Sequence, residues 1–169
     1  LRSVTRGWRE IGFPDDSVKY SVPKWIIDSW TADYGNEKTK AMLEAFSTPA
    51  RITIRTNLKK CTPEELQKRL EEEGVKAERI EKIPYAFVIS EFDHLTGLSS
   101  FQDGWFYVQD ISSMSVAQAA DPKKDDYIID VCAAPGGKSS HLAELLGGSG
   151  MVEARDLTEY KVGLIEENI

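Results

Sequence analysis

The stretch Asp130-Val131-Cys132-Ala133-Ala134-Pro135-Gly136-Gly137-Lys138-Ser139 decides the fold of the second half of this chain. It follows a short apolar segment, Tyr127 to Val131, which predicts a buried strand, and it leads into a helical pattern from Ser139 to Leu146. Two glycines and several small residues let the backbone of such a turn approach a ligand closely, and the start of the helix offers free N–H groups. A strand, a tight turn and a helix in this order predict the opening of a doubly wound α/β sheet, which binds ligands at that turn.

A second strand and a carboxylate follow the turn. Residues Met151 to Arg155 predict the strand, and Asp156 ends it, about twenty residues after the glycines. In doubly wound folds a carboxylate at this place accepts hydrogen bonds from a ribose. Thr158 predicts the start of the last helix, and Ser112 is expected to cap an earlier helix from Met114 to Ala120.

Three nucleotide-binding motifs are candidates for the glycine turn. A Walker A loop needs a glycine five residues before Gly137, but that position is Cys132, so this interpretation fails. A dinucleotide-binding G-x-G-x-x-G fingerprint is matched only weakly, because Gly136 and Gly137 are adjacent. A loop that binds S-adenosylmethionine needs only a glycine-rich turn and a downstream acid, and this third interpretation fits best.

The turn closely resembles motif I of the Sun/RsmB-type ribosomal RNA cytosine-5 methyltransferases, whose signature is D-x-C-[AS]-A-P-G-G-K-[ST]. The resemblance covers almost the whole chain. Segments before and after the turn are similar to further parts of the same family: Leu1–Arg6, Val22–Trp25, Ile54–Asn57, Phe101–Gly104, Val108–Ser113, Ala154–Leu157 and Glu166–Asn168. Within the Val108–Ser113 segment, Gln109 and Asp110 are expected to shape the loop before the methyltransferase core rather than to touch substrate.

The resemblance implies a cofactor site for S-adenosyl-L-methionine. The residues expected to surround its methionine and sugar are Cys132, Ala133, Ala134, Pro135, Gly136, Gly137 and Lys138. Asp156 would bind the ribose hydroxyls, and Asp130 would steady the loop.

The family's catalytic cysteines have no counterpart in this sequence. In the family one thiolate attacks carbon 6 of the target cytosine, and a second cysteine helps to release the product. Those cysteines lie in Pro-Cys and Thr-Cys motifs, and neither motif occurs here. Cys61 and Cys132 match neither position, so no catalytic residue is assigned and the chain alone is not expected to methylate RNA.

The first hundred residues predict a small α+β domain. Helices are expected from Pro23 to Gly35, from Asn36 as cap to Phe46, and from Thr62 as cap to Gly74, with a further helix end in Leu1–Ile11. Strands are expected at Ile52–Thr56, at Val75–Ile83 and Ala86–Glu91 divided by Pro84, and at Trp105–Val108. This order of elements is typical of a split βαβ sheet, a fold that often binds RNA.

The predicted fold class is α/β and α+β, in three parts. Residues 1–20 are expected to be the helical remnant of a preceding NusB-like domain, residues 21–100 an α+β RNA-binding domain, and residues 101–169 the start of a Rossmann-like, S-adenosylmethionine-dependent methyltransferase domain. Both ends are expected to lie inside a longer protein, because helical patterning begins at Leu1 and continues at Ile169. We therefore expect weak cofactor affinity and self-association through apolar surfaces that later strands would cover.

Composition limits the partners and the compartment. The chain has 41% hydrophobic and 29% charged residues, no apolar run of membrane-spanning length, no signal peptide and two cysteines without metal-ligand spacing. These features predict a soluble cytoplasmic protein with no membrane or metal partner. The net charge of −7 disfavours nucleic acid, although a local basic face can still bind phosphate. Candidate phosphate contacts, or else a solvated basic face, are Arg2, Arg6, Arg9 and Lys59–Lys60.

The function predicted from these features is that of a fragment of an S-adenosylmethionine-dependent methyltransferase that acts on cytosine in small-subunit (16S) ribosomal RNA. The alternative is a non-catalytic RNA-binding module or accessory protein, for which Pro-Cys and Thr-Cys motifs would be missing from the whole natural protein. A nicotinamide oxidoreductase is a third interpretation, and stabilisation by NAD instead of S-adenosylmethionine would favour it.

Overall fold

Four antiparallel strands form the first sheet, in the order β2-β3-β1-β4. They are β1 (Ile52–Thr56), β2 (Lys76–Ile80), β3 (Ile83–Ser90) and β4 (Phe106–Val108). The sheet is seen in a computed structural model, which describes residues 12–168. In the central strand β1, Ile54 lies opposite Phe87 of β3 and Val108 of β4.

Within residues 12–168, three helices precede the sheet. They are α1 (Asp16–Tyr20), α2 (Lys24–Tyr34) and α3 (Asn36–Phe46). They belong to a compact unit that ends at Ala50, and a second unit begins at Arg51. The predicted helix end at Leu1–Ile11 lies outside the described residues.

Helix α4 (Pro63–Glu72) begins at a capping box. Thr62 Oγ1 accepts the N–H of Glu65 at 3.2 Å, and the Glu65 carboxylate accepts the N–H of Thr62 at 2.8 Å. Leu66 and Leu70 lie on one face of this helix because they are four residues apart, and both are fully buried. That face covers apolar side chains of the sheet and its flanking loops: Ile54, Val75, Phe87, Ile89, Leu98 and Phe106.

The opposite face of the sheet is also covered. Side chains alternate along a strand, so Arg55 points away from Ile54, on the same face as its cross-strand partner Ala86. Ala86 packs against Met114 of helix α6 (Ile111–Ala120), which follows the short helix α5 (Ser99–Gln102) and β4. Because both faces are buried, a polar residue such as Arg55 needs partners inside the protein.

The second sheet starts a doubly wound arrangement. It has two parallel strands, β5 (Tyr127–Asp130) and β6 (Met151–Ala154), joined through helix α7 (Gly137–Leu145) and followed by α8 (Glu159–Asn168). The predicted combination of an α+β part and the start of a doubly wound α/β part is thereby confirmed. One face of this sheet is exposed, and we call it the exposed apolar face. Its members are Tyr127, Ile129, Val131 and Met151.

Three predicted boundaries were wrong. Asp110, not Ser112, caps α6: its Oδ1 accepts the N–H of Ser112 at 2.8 Å, so the helix begins at Ile111. Asn36 is the first residue of α3 and caps nothing, since the position before the helix is held by Gly35 at φ 80°. Pro84 does not divide two strands.

Strand β3 runs through Pro84, and the turn lies one step earlier, at residues 81–82. The part of β3 that pairs with β1 starts at Ala86, so the missing N–H of the proline disrupts no bond with β1. Among the described residues, no helix combines the length and the apolar character needed to cross a membrane.

Candidate functional site

The glycine turn is tied at both ends to one aspartate. Asp130, the last residue of β5, accepts the N–H of Cys132 on Oδ1 at 3.2 Å. Its Oδ2 accepts the hydroxyl of Ser139, in the first turn of α7, at 2.7 Å. The prediction that Asp130 steadies the loop is confirmed by these two bonds.

The same turn is tied to the end of β6. The N–H of Ala133 donates to the carbonyl of Arg155 at 3.0 Å, and the N–H of Ala134 donates to Asp156 Oδ2, also at 3.0 Å. The structure thus brings together the two features that the sequence placed about twenty residues apart. The direct bond from Ala134 to Asp156 has no signal in the sequence.

Asp156 retains capacity for one more hydrogen bond. Its Oδ1 accepts the N–H of Leu157 at 2.7 Å and faces Lys161 Nζ at 3.1 Å. The backbone bonds from Leu157 and Ala134, and Lys161 after them, hold the pKa of Asp156 below its ordinary value. A carboxylate offers about four acceptor positions. Three are used, and the free one on Oδ2 lies beside the turn, where a ribose hydroxyl could donate to it.

Gly136 and Gly137 shape the start of α7. Gly136 has φ 105°, a backbone conformation that other residues rarely adopt, so this position requires glycine. The first bond of the helix joins the N–H of Ser140 to the carbonyl of Gly136 at 2.8 Å. The N–H groups of Gly137, Lys138 and Ser139 precede it, so they remain available to a polar ligand.

A cavity of about 210 Å³ lies beside the turn. Five of the predicted site residues line it: Ala133, Ala134, Pro135, Gly137 and Lys138. The rest of the lining comes from the end of β4, the start of α6 and the two residues between them: Val108, Gln109, Asp110 and Ser113. Cys132, Gly136 and Asp156 do not line it, so they would reach a ligand only from the edge of this space.

A larger cavity of about 420 Å³ shares part of this wall. Gln109, Pro135 and Gly137 line both spaces, and the larger one adds Phe101, Phe106 and Tyr107. Aromatic walls suit a planar ring, and the turn side suits polar groups.

A buried polar network behind the cavities was not predicted from the sequence. Arg55 Nε donates to Gln109 Oε1 at 2.7 Å, and the guanidinium forms an ion pair with Glu144 of α7. Gln109 Nε2 in turn donates to the carbonyl of Gly137 at 3.1 Å. Burial lowers the pKa of Arg55 and raises that of Glu144, each opposed by the charge of the other. We call Arg55, Gln109 and Glu144 the arginine cluster.

His141 and Tyr85 lie near this cluster. His141 Nε2 is 2.9 Å from the Tyr85 hydroxyl, while Nδ1 has no partner among the described residues. Burial, and then the charge of Arg55, lowers the pKa of His141 to about 4. The imidazole is therefore neutral at neutral pH and acts as a packed, hydrogen-bonded group.

The two cysteines and the basic residues singled out in the sequence differ in exposure. Cys132 is exposed, whereas Cys61 is buried and burial raises the pKa of its thiol to about 11, so it is not a thiolate at neutral pH. Lys59 and Lys60 are both exposed, and Lys60 Nζ donates to the carbonyl of Asp103 at 2.5 Å. Arg2, Arg6 and Arg9 lie outside the described residues. Within residues 12–168, no group of three or more His, Cys, Asp or Glu is placed to hold a metal ion.

Two family models match the chain. Residues 22–94 match the ferredoxin-like domain of RsmF/B-like methyltransferases, and residues 117–169 match 16S rRNA methyltransferase RsmB/F. The first match contains β1, α4, β2 and β3, and the second contains the glycine turn and Asp156.

Individual relatives agree with these matches. A Bacillus subtilis protein named "Probable ribosomal RNA small subunit methyltransferase B" is 38% identical over 99% of this chain, which spans 38% of that protein. A tRNA (cytosine(72)-C(5))-methyltransferase of Pyrococcus horikoshii is 45% identical over 44% of the chain and 19% of its own length. The crystal structure of NSun6 from P. horikoshii with SFG has the same fold, with a TM-score of 0.80 at 22% identity, covering 87% of this chain and 62% of that one.

Proposed function

Because the chain belongs to the RsmB/Sun family of ribosomal RNA methyltransferases, we propose that it carries the cofactor-binding start of an S-adenosylmethionine-dependent enzyme. The proposed reaction is methylation of carbon 5 of a cytosine in small-subunit ribosomal RNA. The observation that carries the proposal is the glycine turn held against Asp156 by the bond from the Ala134 N–H to Asp156 Oδ2 at 3.0 Å.

The residues around the turn fit this cofactor in chemistry. When bound, S-adenosylmethionine supplies a methyl group on a positively charged sulfonium. Residues 132–138 would surround its methionine and sugar, with the early N–H groups of α7 available to its carboxylate. Asp156 would accept a ribose hydroxyl at its remaining position on Oδ2. NSun6 from P. horikoshii was crystallised with SFG, an analogue of S-adenosylmethionine, which supports the choice of cofactor.

The proposed RNA partner is ribosomal RNA, bound by the α+β part in the cytoplasm. We propose the division into residues 1–20, 21–100 and 101–169, with the middle part as the RNA-binding domain. Lys59 and Lys60 are candidate phosphate contacts because they are exposed cations near the end of β1. The B. subtilis relative is named for ribosomal RNA, whereas the P. horikoshii relative is named for a tRNA cytosine, so the class of RNA needs a direct test.

The chain itself is proposed to bind and position rather than to react. The family's thiolate chemistry requires Pro-Cys and Thr-Cys motifs, and Cys61 and Cys132 follow Lys60 and Val131 instead. Turnover of RNA by the purified 169-residue chain would contradict this part of the proposal.

The cofactor role is tested with the whole gene product that contains this chain. We expect calorimetric titration with S-adenosylmethionine to show binding, and Asp156→Ala to weaken it at least tenfold because both the ribose contact and the bond to Ala134 are lost. Asp121→Asn is a matched control, since Asp121 also pairs with a lysine, Lys123, but at the exposed end of α6.

Two results would overturn the cofactor assignment. One is the absence of any heat of binding by the folded wild-type protein. The other is stabilisation by NAD and not by S-adenosylmethionine in a thermal melt, which would favour a nicotinamide oxidoreductase. Ribosomal RNA retained by a protein that binds no cofactor would favour the non-catalytic RNA-binding module.

A further inference from the structure

We propose that Gln109 is a positioning residue that orients the first peptide of α7 and thereby sets the affinity for the cofactor. The inference rests on the proposed function, since it concerns the same site. Gln109 lines both cavities beside the turn, whereas its cluster partners Arg55 and Glu144 line neither.

The backbone of Gln109 is fixed by the first sheet. Its N–H donates to the carbonyl of Thr53 at 3.1 Å, and its carbonyl accepts the Thr53 hydroxyl at 2.6 Å. Thr53 belongs to the central strand β1, which is paired on both sides. The backbone from which the Gln109 side chain extends is therefore held in place by β1.

Arg55 determines which way the amide of Gln109 points. A guanidinium has only donors, so the atom that faces Arg55 Nε at 2.7 Å must be the amide oxygen. The NH₂ group then faces the other way, where it donates to the carbonyl of Gly137 at 3.1 Å. The buried ion pair with Glu144 holds the guanidinium in place, so the orientation of the amide follows from charge and not from packing alone.

The bond to Gly137 also holds the N–H group of the next residue, Lys138, which lines the smaller cavity. The carbonyl of Gly137 and the N–H of Lys138 belong to one planar peptide and point in opposite directions. Holding the carbonyl therefore sets the direction of the Lys138 N–H, one of the three groups that precede the first bond of α7. A preorganised donor lowers the entropic cost of binding a polar ligand.

Gln109→Glu in the whole gene product separates the two functions of the amide. The carboxylate still accepts from Arg55, but it has no hydrogen to donate and presents an oxygen to the carbonyl of Gly137. We expect the Kd for S-adenosylmethionine to rise about tenfold, because the bond from Gln109 is lost and a carboxylate oxygen now faces the Gly137 carbonyl, which keeps only the Ser140 hydroxyl at 3.2 Å as a side-chain donor. The Kd for RNA should stay within twofold of wild type. In turnover, the KM for the cofactor should rise with little change in kcat.

Gln118→Glu is the matched control. Gln118 Nε2 also donates to a backbone carbonyl, that of Lys82 at 3.0 Å, but it does so at the far end of α6. The control should leave both dissociation constants unchanged. A second variant, Gln109→Met, removes both the donor and the acceptor at similar volume, and the Kd for S-adenosylmethionine is expected to rise as for Gln109→Glu. It replaces Gln109→Glu in the test if the added charge near Glu144 prevents folding.

The outcomes separate this inference from the proposed function. If Asp156→Ala abolishes cofactor binding while folded Gln109→Glu or Gln109→Met binds as tightly as wild type, the positioning role is wrong and the proposed function stands. Equal weakening of cofactor and RNA binding by the Gln109 variants would also overturn it, because that result indicates general destabilisation. If the wild-type protein binds no S-adenosylmethionine, the proposed function itself fails.

Discussion

Arg55 and Glu144 form an ion pair that is almost fully buried, with 0% and 4% of their side chains exposed. Removing one partner leaves a charge without compensation in a low-dielectric interior. We expect Arg55→Met to lower the free energy of unfolding by about 3–5 kcal/mol. The double variant Arg55→Met/Glu144→Met should lose much less, because no buried charge remains.

Urea denaturation of the 169-residue chain, followed by circular dichroism, measures both variants. The exposed pair Lys24–Asp28 provides the control, since Lys24→Met removes one partner of a solvated ion pair and should change little. A double variant that is less stable than Arg55→Met would contradict the expected role of the uncompensated charge.

His141 makes stability depend on pH in a defined direction. Its pKa in the folded chain is about 4, below the ordinary value of 6.5, so the unfolded chain binds a proton at a pH where the folded chain does not. The free energy of unfolding should therefore fall as the pH drops from about 6.5 to about 4. His141→Gln, which can still bond to Tyr85, should flatten the profile in this window, whereas the exposed His94→Gln should not.

At the scale of residues, a sequence motif and a buried network differ in how far they can be predicted. The glycine turn and Asp156 could be singled out in the sequence because the turn is a run of consecutive residues and the acid follows it at a characteristic spacing along the chain. The arginine cluster could not be predicted, because its three members lie far apart in the chain. In β1 the polar residues Thr53 and Arg55 alternate with Ile52 and Ile54, a pattern that ordinarily places the polar side chains in water.

Helix α4 is stabilised at its first turn by its N-cap residue, Thr62. The Thr62 hydroxyl accepts one of its first-turn N–H groups, that of Glu65, and the helix carries Leu66 and Leu70 into the core. We expect Thr62→Ala to destabilise the chain by about 1 kcal/mol because one orphan donor loses its partner. Thr96→Ala, at an exposed threonine in a short 3-10 turn, should have no measurable effect in the same urea titration.

Most elements could be predicted from periodicity, and the errors fall at their ends. Ser112 looked like a cap because its residue type favours that position, but Asp110 lies two residues earlier and accepts the N–H of Ser112 itself, so the helix has already begun there. Pro84 looked like a break because proline lacks a donor, yet it lies where β3 has no β1 partner. For Pro84 the deciding factor is the extent of the neighbouring strand, which a local pattern does not contain.

At the scale of the whole molecule, the exposed apolar face distinguishes the second sheet from the first. Tyr127, Ile129, Val131 and Met151 have 46–68% of their surface exposed. We expect sedimentation velocity of the 169-residue chain to show concentration-dependent self-association, and Ile129→Lys to reduce it. Trp25→Lys, which alters an exposed aromatic residue of α2, is the control, and a strictly monomeric wild-type chain at high concentration would contradict the expectation.

The fold class was within reach of the sequence, because the order of strand, turn and helix is typical of one architecture. The assignment of the glycine turn as the cofactor site stays a prediction. The burial of both faces of the first sheet could not be predicted, since Met114 and Glu144 contact it from helices that lie much later in the chain. The predicted boundary between residues 100 and 101 stays a prediction.

The two faces of the central strand β1 limit which segments can be exchanged between relatives. Its Ile54 side belongs to the core under α4, and its Arg55 side belongs to the helix that starts at the glycine turn. A hybrid that takes residues 51–108 from one relative and the remainder from another inherits the cation from one parent and the anion from the other. Such hybrids should fold only where one parent supplies a cation at position 55 and the other supplies an anion at position 144.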